Sequence, residues 1–167
     1  DLTLSSFLGG GSLTIRDSGG ATVMGSVGSS LAPLTSLNLV ATTGRIAFAG
    51  SVYATTLTNL GGNFNLDFFG SETSVVDPAI LGTTGLARLG DSSADQLNFI
   101  GGLTHVAGPT AVGGTFTVAT GPLVFTNTYL TVDTTYQPGS DITYGNLSLA
   151  DGVTVNFGGG TSNARIT

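Results

Sequence analysis

Apolar residues alternate with polar ones in short runs along the whole chain. The alternation is legible at Leu2-Leu4, Leu13-Ile15, Leu37-Leu39, Ile46-Phe48, Phe64-Leu66-Phe68, Leu97-Phe99, Phe116-Val118, Leu130-Val132, Ile142-Tyr144, Leu147-Leu149 and Val153-Val155-Phe157. The residues between them are mostly Thr, Ser and Asn, and each short run ends at a Gly-Gly or Pro-containing corner. Apolar residues do not recur at three and four, strong helix formers are sparse, and Gly interrupts nearly every stretch of ten. The pattern predicts an all-β chain of many short strands joined by tight corners.

The strands also repeat. Val23-Met24-Gly25-Ser26-Val27 matches Phe48-Ala49-Gly50-Ser51-Val52 one apparent period later, and Phe69-Gly70-Ser71 echoes both. Strand-end markers at Val23, Phe48, Phe69, Phe99, Phe125 and Tyr144 recur at unequal intervals whose mean is roughly 24 positions. Two or three short strands per period, with glycine corners and Thr, Ser and Asn facing outward, are what a parallel β-helix or β-solenoid requires. About seven coils would use residues 1–167 as a single solenoid domain, a rod of roughly 30 to 35 Å at the strand spacing. An antiparallel β-sandwich or jelly roll, whose turns fall at similar intervals, is the alternative. Leu2, Thr3 and Leu4 at one end and Arg165, Ile166 and Thr167 at the other read as strand without a polar cap, hence as self-association edges. The chain starts at Asp1 and has no charged-then-apolar leader, so a processed product, or a fragment or protomer of a longer fibre, is expected.

Composition narrows the chemistry. Gly (27), Thr (26) and Ser (16) supply about two residues in five, mean hydropathy is +0.36, and charged residues are only 8%. With 40% apolar residues a core is available, so disorder is not expected. There is no Lys, and four Arg face ten acidic residues for a net charge of −6 and a pI near 4.1, so no basic patch serves nucleic acid or anionic lipid. Without Lys and Cys there is no Schiff-base amine, thiol nucleophile, thiolate zinc site or disulfide. No apolar run approaches the roughly 18 to 20 residues of a membrane helix.

The stretch Leu97-Asn98-Phe99-Ile100-Gly101-Gly102-Leu103-Thr104-His105-Val106-Ala107-Gly108-Pro109-Thr110, followed by Gly114 to Val118 and Leu130 to Thr134, resembles the repeat arrays of large secreted bacterial surface proteins of the filamentous-haemagglutinin and adhesin type. Leu34 to Leu60, centred on Gly44-Arg45-Ile46-Ala47-Phe48-Ala49-Gly50-Ser51-Val52, is similar to the same arrays, and together these cover about two thirds of the chain. The likeness is one of composition and cadence. It implies a β-helical stalk or fibre outside the cell, with a role in reach, adhesion or matrix building, and offers no site residues to carry over.

Candidate chemistry is thin. His105 is the only histidine, no Gly-x-Ser-x-Gly elbow accompanies it, and an outward or stacked strand position is the expected role. Asp91 and Asp95, around Ser92 and Ser93, form the densest acidic patch. They read as a solvated turn, with a calcium cage or paired catalytic carboxylates as weaker candidates, because neither EF-hand nor Gly-Gly-x-Gly-x-Asp spacing is present. Asp77-Pro78 and Asp151-Gly152 read as turns, and Asp133 and Asp141 flank Tyr136-Gln137-Pro138-Gly139, expected as a loop between coils, where nothing else in the sequence supports carbohydrate stacking on Tyr136. Thr115-x-Thr117 and Thr126-x-Thr128 raise ice binding, which needs such pairs in register on one flat face.

The expectation is an extracellular, secreted structural or adhesive segment, not an enzyme, that extends a surface fibre by end-to-end complementation of open sheet edges. Its partners would be copies of itself or neighbouring repeats, and a glycan or cell surface. No cofactor is expected apart from the calcium candidate at Asp91 and Asp95. A carbohydrate-binding or polysaccharide-degrading β-helix is the alternative and an ice-binding solenoid the third reading.

Overall fold

A computed structural model of the chain describes residues 2–16, 19–40, 43–139 and 141–158. Its strands are β1 (Leu2–Leu4), β2 (Ser12–Arg16), β3 (Gly20–Val23), β4 (Leu34–Val40), β5 (Gly44–Phe48), β6 (Val52–Gly62), β7 (Phe64–Phe68) and β8 (Glu72–Val75), followed by β9 (Ala79–Thr83), β10 (Ala87–Leu89), β11 (Gln96–Phe99), β12 (Leu103–Val118), β13 (Leu123–Pro138), β14 (Ile142–Leu149) and β15 (Val155–Phe157). No helix occurs among the described residues, and every strand pairing is parallel. Parallel pairing throughout excludes the antiparallel sandwich and makes the chain a β-solenoid of about eight turns.

Each turn visits three sheets in order. Sheet A stacks β1, β3, β5, β7, β10, Pro109–Val112 of β12, Asn127–Leu130 of β13 and the end of β14. Sheet B runs from the bridged Phe7 and Val27 through the start of β6, then β8, β11, the ends of β12 and β13, and β15. Sheet C stacks β2, β4, the middle of β6, β9, the starts of β12 and β13, and β14.

The register corrects the coil length. Along sheet A, Leu4, Val23, Phe48, Phe68, Leu89, Val112, Leu130 and Leu149 are successive partners, each one coil beyond the last. The mean step is about 21 positions, so eight rungs fit where seven were expected, and the stack is about 38 Å long at the strand spacing.

Alternation fills the interior. One inward column of sheet A carries Val23, Phe48, Phe68, Leu89, Val112 and Leu130, all 0% exposed, and sheet C supplies Leu37, Leu57, Ala79, Leu103, Leu123 and Ile142. Aromatic rings stack on successive rungs: Phe48 on Phe68 with centroids 5.2 Å apart, Phe125 on Tyr144 at 5.7 Å, and Phe116, Tyr136 and Phe157 in sheet B at 5.4 and 5.5 Å. Such ladders bury large rings at the geometry aromatic pairs prefer.

Candidate functional site

The outer wall of sheet A carries a charged cluster and a groove side by side. Strand alternation turns Ala47, Asp67, Arg88, Ala111, Tyr129 and Ser148 outward as one column, each in register with the next. A second outward column contains Arg45, Asn65, Leu86, Pro109, Asn127 and Asn146.

Two features result. Arg45 Nε and Arg88 Nη1 (3.1 Å) both donate to the Asp67 carboxylate, which their side chains cover completely while remaining half-exposed themselves. Arg45 also lies over the Phe69 ring, 5.5 Å from its centroid. Next to this cluster a shallow groove of about 250 Å³ runs along Leu86, Pro109, Ala111, Asn127, Tyr129, Asn146 and Ser148. Ala111 forms the notch because its short side chain sits between the larger Arg88 and Tyr129 on the neighbouring rungs. Asn146 Nδ2 donates to Asn127 Oδ1 (2.9 Å), an amide ladder on the groove floor.

His105 does not face out. It is fully buried on sheet C in the inward column of Leu39, Asn59, Phe125 and Tyr144. Nε2–H donates to the Thr83 carbonyl (3.1 Å), which leaves Nδ1 to accept from the Thr110 hydroxyl (2.8 Å). Thr83 N–H in turn donates to Asn59 Oδ1 (2.7 Å), and the Thr83 hydroxyl donates to the Phe64 carbonyl (2.5 Å). This polar seam pairs buried groups at the corner between sheets C and A, where the ladder hydrogen bonds of the strands are interrupted between His105 and Pro109. A histidine so placed has no access to a substrate.

Burial lowers the His105 pKa from its ordinary value, only partly offset by the bond to the Thr83 carbonyl, and no carboxylate pairs with it among the described residues. The unfolded chain therefore binds this proton more readily than the folded one. The associated stability is fully present above about pH 6.5 and is lost as pH falls toward the depressed folded value. The urea midpoint should fall between pH 7.5 and pH 5, and His105→Gln should flatten that slope. An equally steep slope in the variant would show that other groups set it.

Asp91 and Asp95 divide their roles. Asp95 is buried and its Oδ2 accepts from the backbone N–H groups of Asp91 (2.9 Å) and Ser92 (3.0 Å), closing the turn between sheets A and B. Asp91 is exposed, and its carboxyl is raised by partial burial and by the neighbouring Asp95 charge. No group of three or more His, Cys, Asp or Glu side chains gathers among the described residues. Thr56 donates to Asp77 (2.7 Å), and Asp133 accepts from Thr154 N–H (2.7 Å), so both acids tie neighbouring coils together.

The remaining sequence candidates are dispersed. Tyr136 is inside the core, its hydroxyl among the buried ones that lack a partner, so it offers no ring for stacking. Thr115 and Thr117 face outward on sheet B between Gln96-x-Asn98 and Thr135-x-Gln137, whereas Thr128 is buried on sheet A, so the two Thr pairs do not share a face. Leu2, Thr3 and Leu4 form β1, whose one described neighbour is β3; Arg165, Ile166 and Thr167 lie outside the described residues. The Arg45–Asp67–Arg88 cluster was not singled out from the sequence, although each of its two steps is one coil.

Comparison with protein-family models, with curated proteins and with solved structures finds no match to this chain.

Proposed function

We propose that the chain is an extracellular structural or adhesive solenoid segment that extends a surface fibre through its open sheet edges, with no catalytic role. The observation that carries this reading is one-sided pairing at both ends. Among the described residues β1 and β2 pair only with β3 and β4, and β14 and β15 only with β13. Unpaired parallel edges are templates for further strands. Leu2 (43% exposed) and Leu149 (44%) lie on the first and last described rungs of sheet A, so joining copies would also cover apolar surface. The cadence of the repeats, which resembles that of bacterial adhesin arrays, is what supports a secreted surface location in this reading.

The test is electron microscopy of the purified protein, which should show filaments with an axial repeat of about 38 Å, eight rungs at the strand spacing. The Leu4 carbonyl accepts from Met24 N–H (2.9 Å), so in a parallel strand the Thr3 N–H points to the free side. Thr3→Pro removes that donor. It should abolish filaments while leaving the melting temperature of the monomer within about a degree. Isolated wild-type particles at all concentrations would sink the assembly reading.

A further inference from the structure

The geometry points to a binding site for an acidic oligosaccharide along the groove of sheet A, its carboxylate held by Arg88 and one sugar ring seated on Tyr129. The inference does not depend on end-to-end assembly, because every residue in it belongs to one copy.

The occupant follows from what the wall offers. Where the groove crosses β10, β12 and β13 the backbone is laddered on both sides, so on those three rungs no edge is free for an added peptide strand and recognition falls to side chains; only the last rung, β14, has an unpaired side among the described residues. The groove offers a half-exposed aromatic ring, two amides and a serine hydroxyl around an otherwise apolar floor, and the Arg88 guanidinium belongs to the rung beside it, in register with Ala111. An apolar floor with a few placed polar groups suits a ligand with a C–H face and a hydroxyl rim. Tyr129 supplies a rigid ring for the C–H face. The Asn127–Asn146 bond uses one N–H and one carbonyl, leaving Asn127 Nδ2 and Asn146 Oδ1 as donor and acceptor for hydroxyls.

Charge selects the acidic class. The chain carries −6 overall, yet the two outward columns of sheet A from Arg45 to Ser148 hold two arginines against one aspartate. Asp67 binds Arg88 through Nη1 alone, so Nε and Nη2 are free for a carboxylate among the described residues. The acids of the same rungs, Asp91, Asp133 and Asp151, follow Leu89, Leu130 and Leu149 and lie past the corner toward sheet B. Leu86 to Asn146 spans four rungs, about 14 Å at the strand spacing, the reach of a short oligosaccharide rather than a single ring.

Calorimetric titration with trigalacturonate, and with a neutral galactose trisaccharide, tests this directly. The acidic trisaccharide should bind at least tenfold more tightly than the neutral one, and more weakly as salt rises. Tyr129→Ala and the groove-filling Ala111→Phe should each weaken it at least tenfold with an unchanged melting temperature, and Arg88→Gln should remove the acidic preference, its fold checked by circular dichroism. No binding of trigalacturonate, equal affinity for the neutral sugar, or binding indifferent to both Tyr129→Ala and Ala111→Phe would overturn the assignment.

Discussion

Phe116→Ala is expected to destabilise the protein by about 3 to 5 kcal/mol, the range for truncating a buried aromatic. Phe116 is 0% exposed and touches rings on three sides: Phe99 at 6.2 Å, Phe125 at 6.4 Å and Tyr136 at 5.4 Å between centroids. The space left cannot collapse, because its walls are rungs held at the fixed spacing of the hydrogen-bonded ladder. Denaturant unfolding should show a lower midpoint at an unchanged slope. Phe157→Ala is the control: the same stack ends there, half-buried on the last described rung, and the loss should be clearly smaller. Equal losses at the two positions would mean that the ring column is not a continuous core.

That column also shows how far the sequence can be read. Alternation alone places Phe116, Phe125 and Tyr144 inward, and the Gly-Ser echo at Gly25, Gly50 and Gly70 marks a true corner stack. The period was less legible because Phe99 belongs to sheet B and Phe125 and Tyr144 to sheet C, whereas Val23 and Phe48 belong to sheet A. Mixing walls lengthened the apparent coil. Unequal coils hide the true value further: the step from Val23 to Phe48 is longer than the step from Val112 to Leu130, since corners take up the difference while rungs stay in register.

His105 and the arginine cluster were obscured for related reasons. The alternation of Leu103-Thr104-His105 puts His105 on the side of Leu103, but the apolar Val106 beside it invites the opposite phase; in the structure Val106 is 52% exposed because the chain turns a corner there. Arg45, Asp67 and Arg88 look scattered until the coil length is known; then Arg88 stacks on Asp67 and Arg45 reaches it diagonally from the neighbouring column one rung before. A groove formed by four separate rungs has no linear motif at all.

Gly50→Ala should cost about 3 kcal/mol, an unusually large effect for the smallest possible addition to a side chain. Its φ is not in the left-handed region, so the requirement is space and not backbone freedom. A Cβ there would lie 2.3 Å from Gly25 C, 2.4 Å from Gly25 O and 2.6 Å from Ser26 N. A Cβ at Gly70 would meet Gly50 O at 2.2 Å in the same way, so the methyl group at this corner points along the rod into the preceding coil. Backbone atoms cannot rotate aside as a side-chain tip does. Relief requires the coils to part, which stretches the hydrogen bonds from Ala49 N to Val23 O (2.8 Å) and from Val27 N to Ser51 O (2.9 Å) on either side. Gly152→Ala separates this mechanism from ordinary glycine strain: its φ is 79°, but open space surrounds it. That change should cost only about 1 kcal/mol. In thermal melts Gly50→Ala should lower the transition by about 6 to 12 °C and Gly152→Ala by about 2 to 4 °C. The reverse order would mean that left-handed backbone at corners, and not coil-to-coil contact, is what glycine provides in this solenoid.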